Sequence, residues 1–335
     1  MNRQKPDMAL EIQDLSVEYR TSDGVVKALN SLDLSIKRGT ALGLVGETGA
    51  GKTTAGLAIL RLIPHPPGVI TAGSIRLHGA DLLEKTEKQM RAIRGKEVSM
   101  IFQDPMTSLN PVRTVEEQIA EVIRQHEKAG KSASLQKARE MLELVGIPAS
   151  RGHEYPHQFS GGMKQRVVIA IALSCTPQLL IADEPTTALD VTIQAQVLEM
   201  MKELRRKYQM SMLMITHDLG IVADICDEVS IIYAGRVVEH GTLEDVYRNT
   251  LHPYTEGLFN SLPNMEDRTA KLKPIKGLMP DPSNLPPGCA FCPRCDRAMA
   301  VCRTRQPPRI YRSEEHYVCC HLYQNKSCQE VSGND

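Results

Sequence analysis

Residues 46–53 read Gly-Glu-Thr-Gly-Ala-Gly-Lys-Thr, between an apolar run, Ala41 to Val45, and a helical stretch from Thr54 to Ile63. A buried strand that turns through glycines straight into a helix points backbone N–H groups, and the helix's positive end, at a single concave spot. The G-x4-G-K-[ST] spacing suits phosphate oxygens. Gly46, Gly49 and Gly51 let the chain turn tightly, Lys52 reaches terminal phosphates, and Thr53 offers a hydroxyl to magnesium, with Thr54 in the same nucleotide-binding set. A second buried run, Leu179 to Ala182, ends in Asp183-Glu184, at the C-terminal edge of a strand where open α/β sheets bind ligands. Asp183 is placed to hold magnesium through water and Glu184 to orient and polarise an attacking water.

The 335 residues exceed one typical domain, so a large core with an appended module is expected. Hydrophobic residues at 41% and charged residues at 24% exclude a disordered chain, and 40 Lys+Arg against 40 Asp+Glu argue against a protein that coats nucleic acid. The longest apolar run, Val167 to Leu173, is far too short to span a bilayer. Met1 to Asp14 has no apolar signal core, which predicts a cytoplasmic chain. Alternating β-branched runs and amphipathic stretches up to Gly241 predict an α/β fold with a mostly parallel sheet. Of nine cysteines, seven lie from Cys289 to Cys328, and ten of twenty prolines follow residue 250, so the last 85 residues predict a loop-rich module of a different kind. The division expected is 1–250 and 251–335.

Phe159-Ser160-Gly161-Gly162-Met163 precedes a helical stretch, Met163 to Ser174, and here the sequence resembles the ATP-binding cassette (ABC) ATPases. Ser160, Gly161 and Gly162 look like that family's signature motif. Tyr19 matches the aromatic that stacks on adenine, Gln103 the Q-loop that also reaches magnesium, Ala188-Leu189-Asp190 the D-loop, and His217 the switch histidine. Gln103 and His217 follow strand-like runs, Val98 to Phe102 and Met212 to Thr216, as a γ-phosphate contact requires. Taken singly, Tyr19, Gln103 and His217 are ordinary strand and loop residues; their order along the chain gives them meaning. Phe159 and Met163 depart from the usual Leu and Gln, which removes a possible Gln contact and leaves the Ser hydroxyl and glycine N–H groups. The resemblance implies a P-loop NTPase core with an antiparallel β subdomain and a helical insert at about 104–165 that grips a membrane partner. It implies Mg2+-dependent ATP hydrolysis in a head-to-tail dimer, with residues 46–53 of one subunit facing Ser160 to Gly162 of the other.

Within the family, residues 103–111, 155–162 and 252–255 resemble the ATPase subunits of peptide and nickel importers. That implies a second ATPase subunit, two permeases, an external substrate-binding protein, no nucleic acid, and a peripheral position on the inner face of the membrane. Di- or oligopeptide import is the expected work. Nickel or glutathione import is the alternative, and a non-transport ABC ATPase the remote one. His153, His157 and His252 have no ligand-spaced partners and read as packing or capping residues. Cys175 and Cys226, in apolar stretches, read as core residues, as does the strand-like run from Met210 to Met214.

Cys289, Cys292, Cys295, Cys302, Cys319, Cys320 and His321 form a dense thiol set. The cytoplasmic compartment disfavours disulfides, which leaves zinc or an iron–sulfur cluster. The importer resemblance, at Gly288-Cys289, Phe291, Arg294-Cys295, Cys302 and Cys320-His321, implies a 4Fe-4S cluster on Cys289, Cys295, Cys302 and Cys320.

Overall fold

The computed structural model describes residues 7–187, 189–261 and 273–324. Strands β1 (Met8–Thr21) and β2 (Gly24–Lys37) form a long antiparallel hairpin. Next come β3 (Ala41–Val45), α1 (Lys52–Ile59), β4 (Gly68–Leu77), β5 (Ala80–Asp81), α2 (Glu87–Ile93) and β6 (Val98–Ile101). A helical stretch carries α3 (Pro105–Ser108), α4 (Val115–Glu127), α5 (Lys131–Leu144) and α6 (Gly161–Leu173). Alternation then resumes with β7 (Leu179–Asp183), α7 (Val191–Tyr208), β8 (Ser211–Thr216), α8 (Leu219–Ile225), β9 (Glu228–Tyr233) and β10 (Arg236–Thr242). After α9 (Leu243–Arg248) and α10 (Pro253–Asn260), the tail ends in two short strands, β11 (Arg309–Tyr311) and β12 (Tyr317–Cys319).

Among the described residues these strands make two sheets, one ordered β2-β1-β4-β5 and the other β11-β12-β10-β9-β3-β8-β7-β6. The pairings from β9 through β3, β8 and β7 to β6 are parallel. Every residue of β3, β7, β8 and β6 is buried, as strands covered on both faces require. The Met210 to Met214 run is accordingly buried, its four apolar side chains in the core and the Ser211 hydroxyl accepting from the Gly39 N–H at 2.9 Å. The predicted P-loop core, antiparallel subdomain and helical insert are all present.

Two expectations are corrected. The first helix runs Lys52–Ile59, not to Ile63: Arg61 adopts φ 51 and Pro64 follows, so the turn cannot propagate. After α10 the tail is loop-rich over 273–308, yet β12 pairs with β10 and extends the core sheet. Glu239, fully buried in β10, anchors that junction, accepting from the Leu251 and His252 N–H groups at 2.8 and 2.9 Å and lying 3.1 Å from His316 Nε2. Three partners around one buried carboxylate explain why a polar group is tolerated there. Among the described residues no helix is long and apolar enough to cross a membrane.

Candidate active site

Parallel pairing aligns strand ends. Val45 stands opposite Thr216, Ile215 opposite Asp183, and Ala182 opposite Ile101, so the loops after β3, β8, β7 and β6 emerge side by side. That register brings Gly46, His217, Asp183-Glu184 and Gln103 together from four distant stretches of sequence.

Glu184 is the hub. It adopts φ 45, a left-handed conformation that costs a non-glycine residue about 1–2 kcal/mol, and its N–H donates to the Ile215 carbonyl at 2.8 Å. Gln103 Nε2 donates to Glu184 Oε2 at 3.0 Å, Thr187 Oγ1 donates to the same oxygen at 3.0 Å, and His217 Nδ1 lies 3.1 Å from Oε1. Burial pushes the Glu184 carboxyl up, but the His217 and Thr187 hydrogen bonds and the Lys52 charge outweigh it and hold the carboxyl below its ordinary value. Glu184 is therefore ionised at neutral pH, as a water-polarising group must be. Thr187 went unremarked in the sequence; its spacing of three from Glu184 was the available signal.

Lys52 Nζ donates to the Gly46 and Glu47 carbonyl oxygens at 2.8 and 3.1 Å, which folds the lysine along the loop. Burial lowers its pKa against the opposing pull of Glu184, Asp183 and Glu47. Asp183, 2% exposed, keeps Oδ1 buried without a hydrogen-bond partner among the described residues, while Thr53 hydrogen-bonds to the same carboxylate. An orphaned carboxylate oxygen beside a threonine hydroxyl at a phosphate loop fits a hard cation such as Mg2+. Gln103, expected in the magnesium set, donates its Nε2 hydrogen to Glu184, while a cation would take the other end of the amide, its carbonyl oxygen.

Gly51 has φ +102, and a Cβ there would stand 2.6 Å from the Ala28 carbonyl oxygen. Gly51→Ala therefore combines left-handed strain with overpacking, and is expected to cost about 2–4 kcal/mol and abolish ATP binding. A thermal melt with a fluorescent ATP analogue checks it; an unshifted Tm with normal binding would refute this account of the loop.

Ser160 caps α6 by accepting from the Met163 N–H at 3.4 Å. A Cβ on Gly162 would meet Ile193 Cγ2 at 2.5 Å, so glycine permits α6 to pack on α7, whereas a Cβ on Gly161 would meet nothing within 4 Å. The signature thus has one packed glycine and one open face. Its two departures share a neighbour: the Arg151 guanidinium lies 4.6 Å from the Phe159 ring centroid and donates to Met163 Sδ at 3.3 Å. Asp190 caps α7, accepting from the Ile193 N–H at 3.0 Å, with Val191 beside it 83% exposed; Ala188 lies outside the described residues. Tyr19 sits half-buried in the antiparallel sheet opposite Val26 and Gly68. Thr54 is half-buried in α1.

The expected metal centre in the tail is not formed as such. Among the described residues no group of three or more His, Cys, Asp or Glu side chains is placed to hold a metal ion, so neither the expected 4Fe-4S cluster nor zinc finds a formed ligand set. Instead Cys289, Cys292, Cys295, Cys302 and Cys320 line one small cavity with His321. Burial pushes the Cys289 thiol up to about 12 and Cys320 up to about 11, and raises Cys295 as well, so these thiols are protonated at neutral pH. His252 caps α10, its Nδ1 accepting from the Tyr254 N–H at 3.0 Å, and burial holds it down at about 4. Cys226 is buried in the apolar core, and Cys175 is buried with its thiol facing the Val122 carbonyl at 3.9 Å.

The ABC transporter family model matches residues 29–187, and a model for the oligopeptide/dipeptide transporter C-terminal region matches residues 238–302. The chain is 49% identical over 323 residues to the oligopeptide transport ATP-binding protein AppD of Bacillus subtilis, covering 96% of this chain and 98% of that one. It is 45% identical over 331 residues to the dipeptide transport ATP-binding protein DppD of the same organism, covering 98% and 99%. Among solved structures, the cbiO1 subunit of a Clostridium perfringens ABC transporter complex superposes with a TM-score of 0.62 at 26% identity, covering 72% of this chain and 92% of that one. The dimeric ATP-binding cassette MJ0796 bound to ADP and Pi superposes with a TM-score of 0.63 at 24% identity, over 70% of this chain and 98% of that one, which speaks to the fold alone.

Proposed function

The chain belongs to the ABC transporter family as a peptide-importer ATPase, and from that membership we propose how its residues divide the work of coupling ATP hydrolysis to peptide import. The convergence of Gln103, Thr187 and His217 on the ionised Glu184, with Lys52 nearby, carries the reading. Gly46, Gly49 and Gly51 cradle the phosphates, Lys52 neutralises their terminal charge, and Tyr19 stacks on the adenine. Glu184 accepts a hydrogen bond from the attacking water, orienting and polarising it, while Gln103 and His217 sense the γ-phosphate. Asp183, Thr53 and the Gln103 side-chain carbonyl oxygen would hold Mg2+, which would supply charge neutralisation on the phosphates.

The open face at Gly161 supports a composite site in which Ser160 to Gly162 and Asp190 of a second ATPase subunit close over this subunit's ATP. The insert at 104–165, with Val112 79% exposed between Gln103 and α4, is suited to grip a permease so that nucleotide state and grip change together. This makes the protein a peripheral subunit on the cytoplasmic face of the inner membrane, working with two permeases and an external binding protein. Vesicles carrying the assembled transporter should take up labelled di- or oligopeptide only with ATP. Uptake of nickel or glutathione with indifference to peptide would overturn the peptide assignment.

Cys289, Cys295, Cys302 and Cys320 are the proposed ligands of a 4Fe-4S cluster. The four cysteines all line one small cavity, which supports this reading. Anaerobically purified protein should be brown, with about four iron and four sulfide per chain. Cys→Ser at any of the four should destabilise the tail, and at Cys292 or Cys319 should matter less. Colourless protein with stoichiometric zinc after iron-replete expression would sink the cluster.

A further inference from the structure

The tail's side chains reach the phosphate loop. Arg294 closes a short 3-10 turn, Cys292–Arg294, and its side chain is 6% exposed, against 29% for its partner Glu47. Nη1 donates to Glu47 Oε2 at 2.7 Å and Nη2 to Glu47 Oε1 at 3.1 Å, a fork on a carboxylate. The guanidinium is itself held: Nε donates to the Lys276 carbonyl at 2.9 Å and Nη1 to the Tyr233 hydroxyl at 3.4 Å. Two more contacts land on the loop. The Tyr254 hydroxyl accepts from the Glu47 N–H at 2.9 Å, and the Met279 methyl stands 3.0 Å from where a Gly49 Cβ would be. Phe291, which lines the thiol cavity, packs on Tyr233 and Tyr254 with centroids 5.3 and 5.4 Å apart.

Phosphate chemistry does not ask for Glu47. A carboxylate in a loop shaped to receive anions repels the incoming ATP unless a cation compensates it, and it can swing its own backbone N–H away from the phosphates. We propose that Arg294 is a positioning residue for ATP binding: by holding and neutralising Glu47 it keeps the loop receptive, and so makes the cysteine-bearing tail a working part of the nucleotide site. This rests on the reading of residues 46–53 as the ATP loop.

The test is ATP affinity, measured with a fluorescent ATP analogue on the full chain, and KM against kcat in the assembled transporter. Arg294→Ala should weaken binding about tenfold and raise KM in step, with kcat within about twofold, because Glu184, Gln103 and His217 are untouched. Adding Glu47→Gln should recover most of that loss, since the uncompensated charge is gone; a purely structural role for Arg294 predicts no recovery. Arg294→Lys, which keeps the charge and loses the fork, should fall between, and it carries the test if the Ala variant fails to fold. Lys52→Ala is the control. Weakened binding there with unchanged affinity in Arg294→Ala overturns the proposal, as does a double variant no better than the single. Undiminished binding in Lys52→Ala would overturn the ATP-loop reading itself, and this inference with it.

Discussion

Glu184→Gln should lower ATP turnover of the assembled transporter by about two orders of magnitude or more, while ATP still binds. The amide keeps the carboxylate's shape. The donors from Gln103 and Thr187 that meet Oε2 can meet the amide oxygen equally well, so the local arrangement survives. What disappears is the negative charge that polarises water, a charge the site protects by holding the carboxyl below its ordinary value. Lys52→Ala should fail differently, by weakening phosphate binding itself. Parallel measurement of nucleotide affinity and kcat separates the two, and a Gln variant turning over at the normal rate would remove Glu184 from its role.

Ser160→Arg should abolish most hydrolysis without disturbing the nucleotide bound by its own subunit. Within one chain Ser160 does little beyond accepting one long hydrogen bond from Met163, a cap worth about 1 kcal/mol. The expected effect therefore comes from placing a bulky cation on the open face beside Gly161, where a partner's ATP would dock. Complementation gives the sharper result. In a homodimer, mixing Ser160→Arg with Lys52→Ala leaves about one composite site with both an intact loop and an intact signature, so activity should partly return. No recovery where mixed dimers demonstrably form would count against the shared site.

Arg294 alters what loss of the proposed cluster should do. If the tail were an appendage, a folded cluster-free variant would bind ATP unchanged. Because Arg294 lies between Cys292 and Cys295 and grips Glu47, disorder in that turn should reach the phosphate loop as weaker ATP affinity.

The strand–loop–helix at Ala41 to Ile59 and the acidic pair ending β7 were legible in the amino-acid order. Their chemistry depends on neighbours along the chain: apolar runs declare buried strands, and the spacing of glycines, Lys52 and Thr53 sets a phosphate nest by covalent geometry alone. The capping role of His252 was legible for the same reason, since its partner is two residues away. Where the first helix stops was less so, because Arg61 turns left-handed while bonding the Leu82 carbonyl across the fold. The register that sets Val45, Thr216, Asp183 and Ile101 at one edge belongs to the sheet. So does the attachment of β12 to β10, which turns a loop-rich tail into a continuation of the core. Glu47 and Arg294 mark the limit most clearly: 247 residues apart, each reads alone as an ordinary surface charge. Their pairing exists only because β9, α10 and the cysteine turn pack onto the phosphate loop, and contacts between elements so distant in sequence leave no local pattern to read.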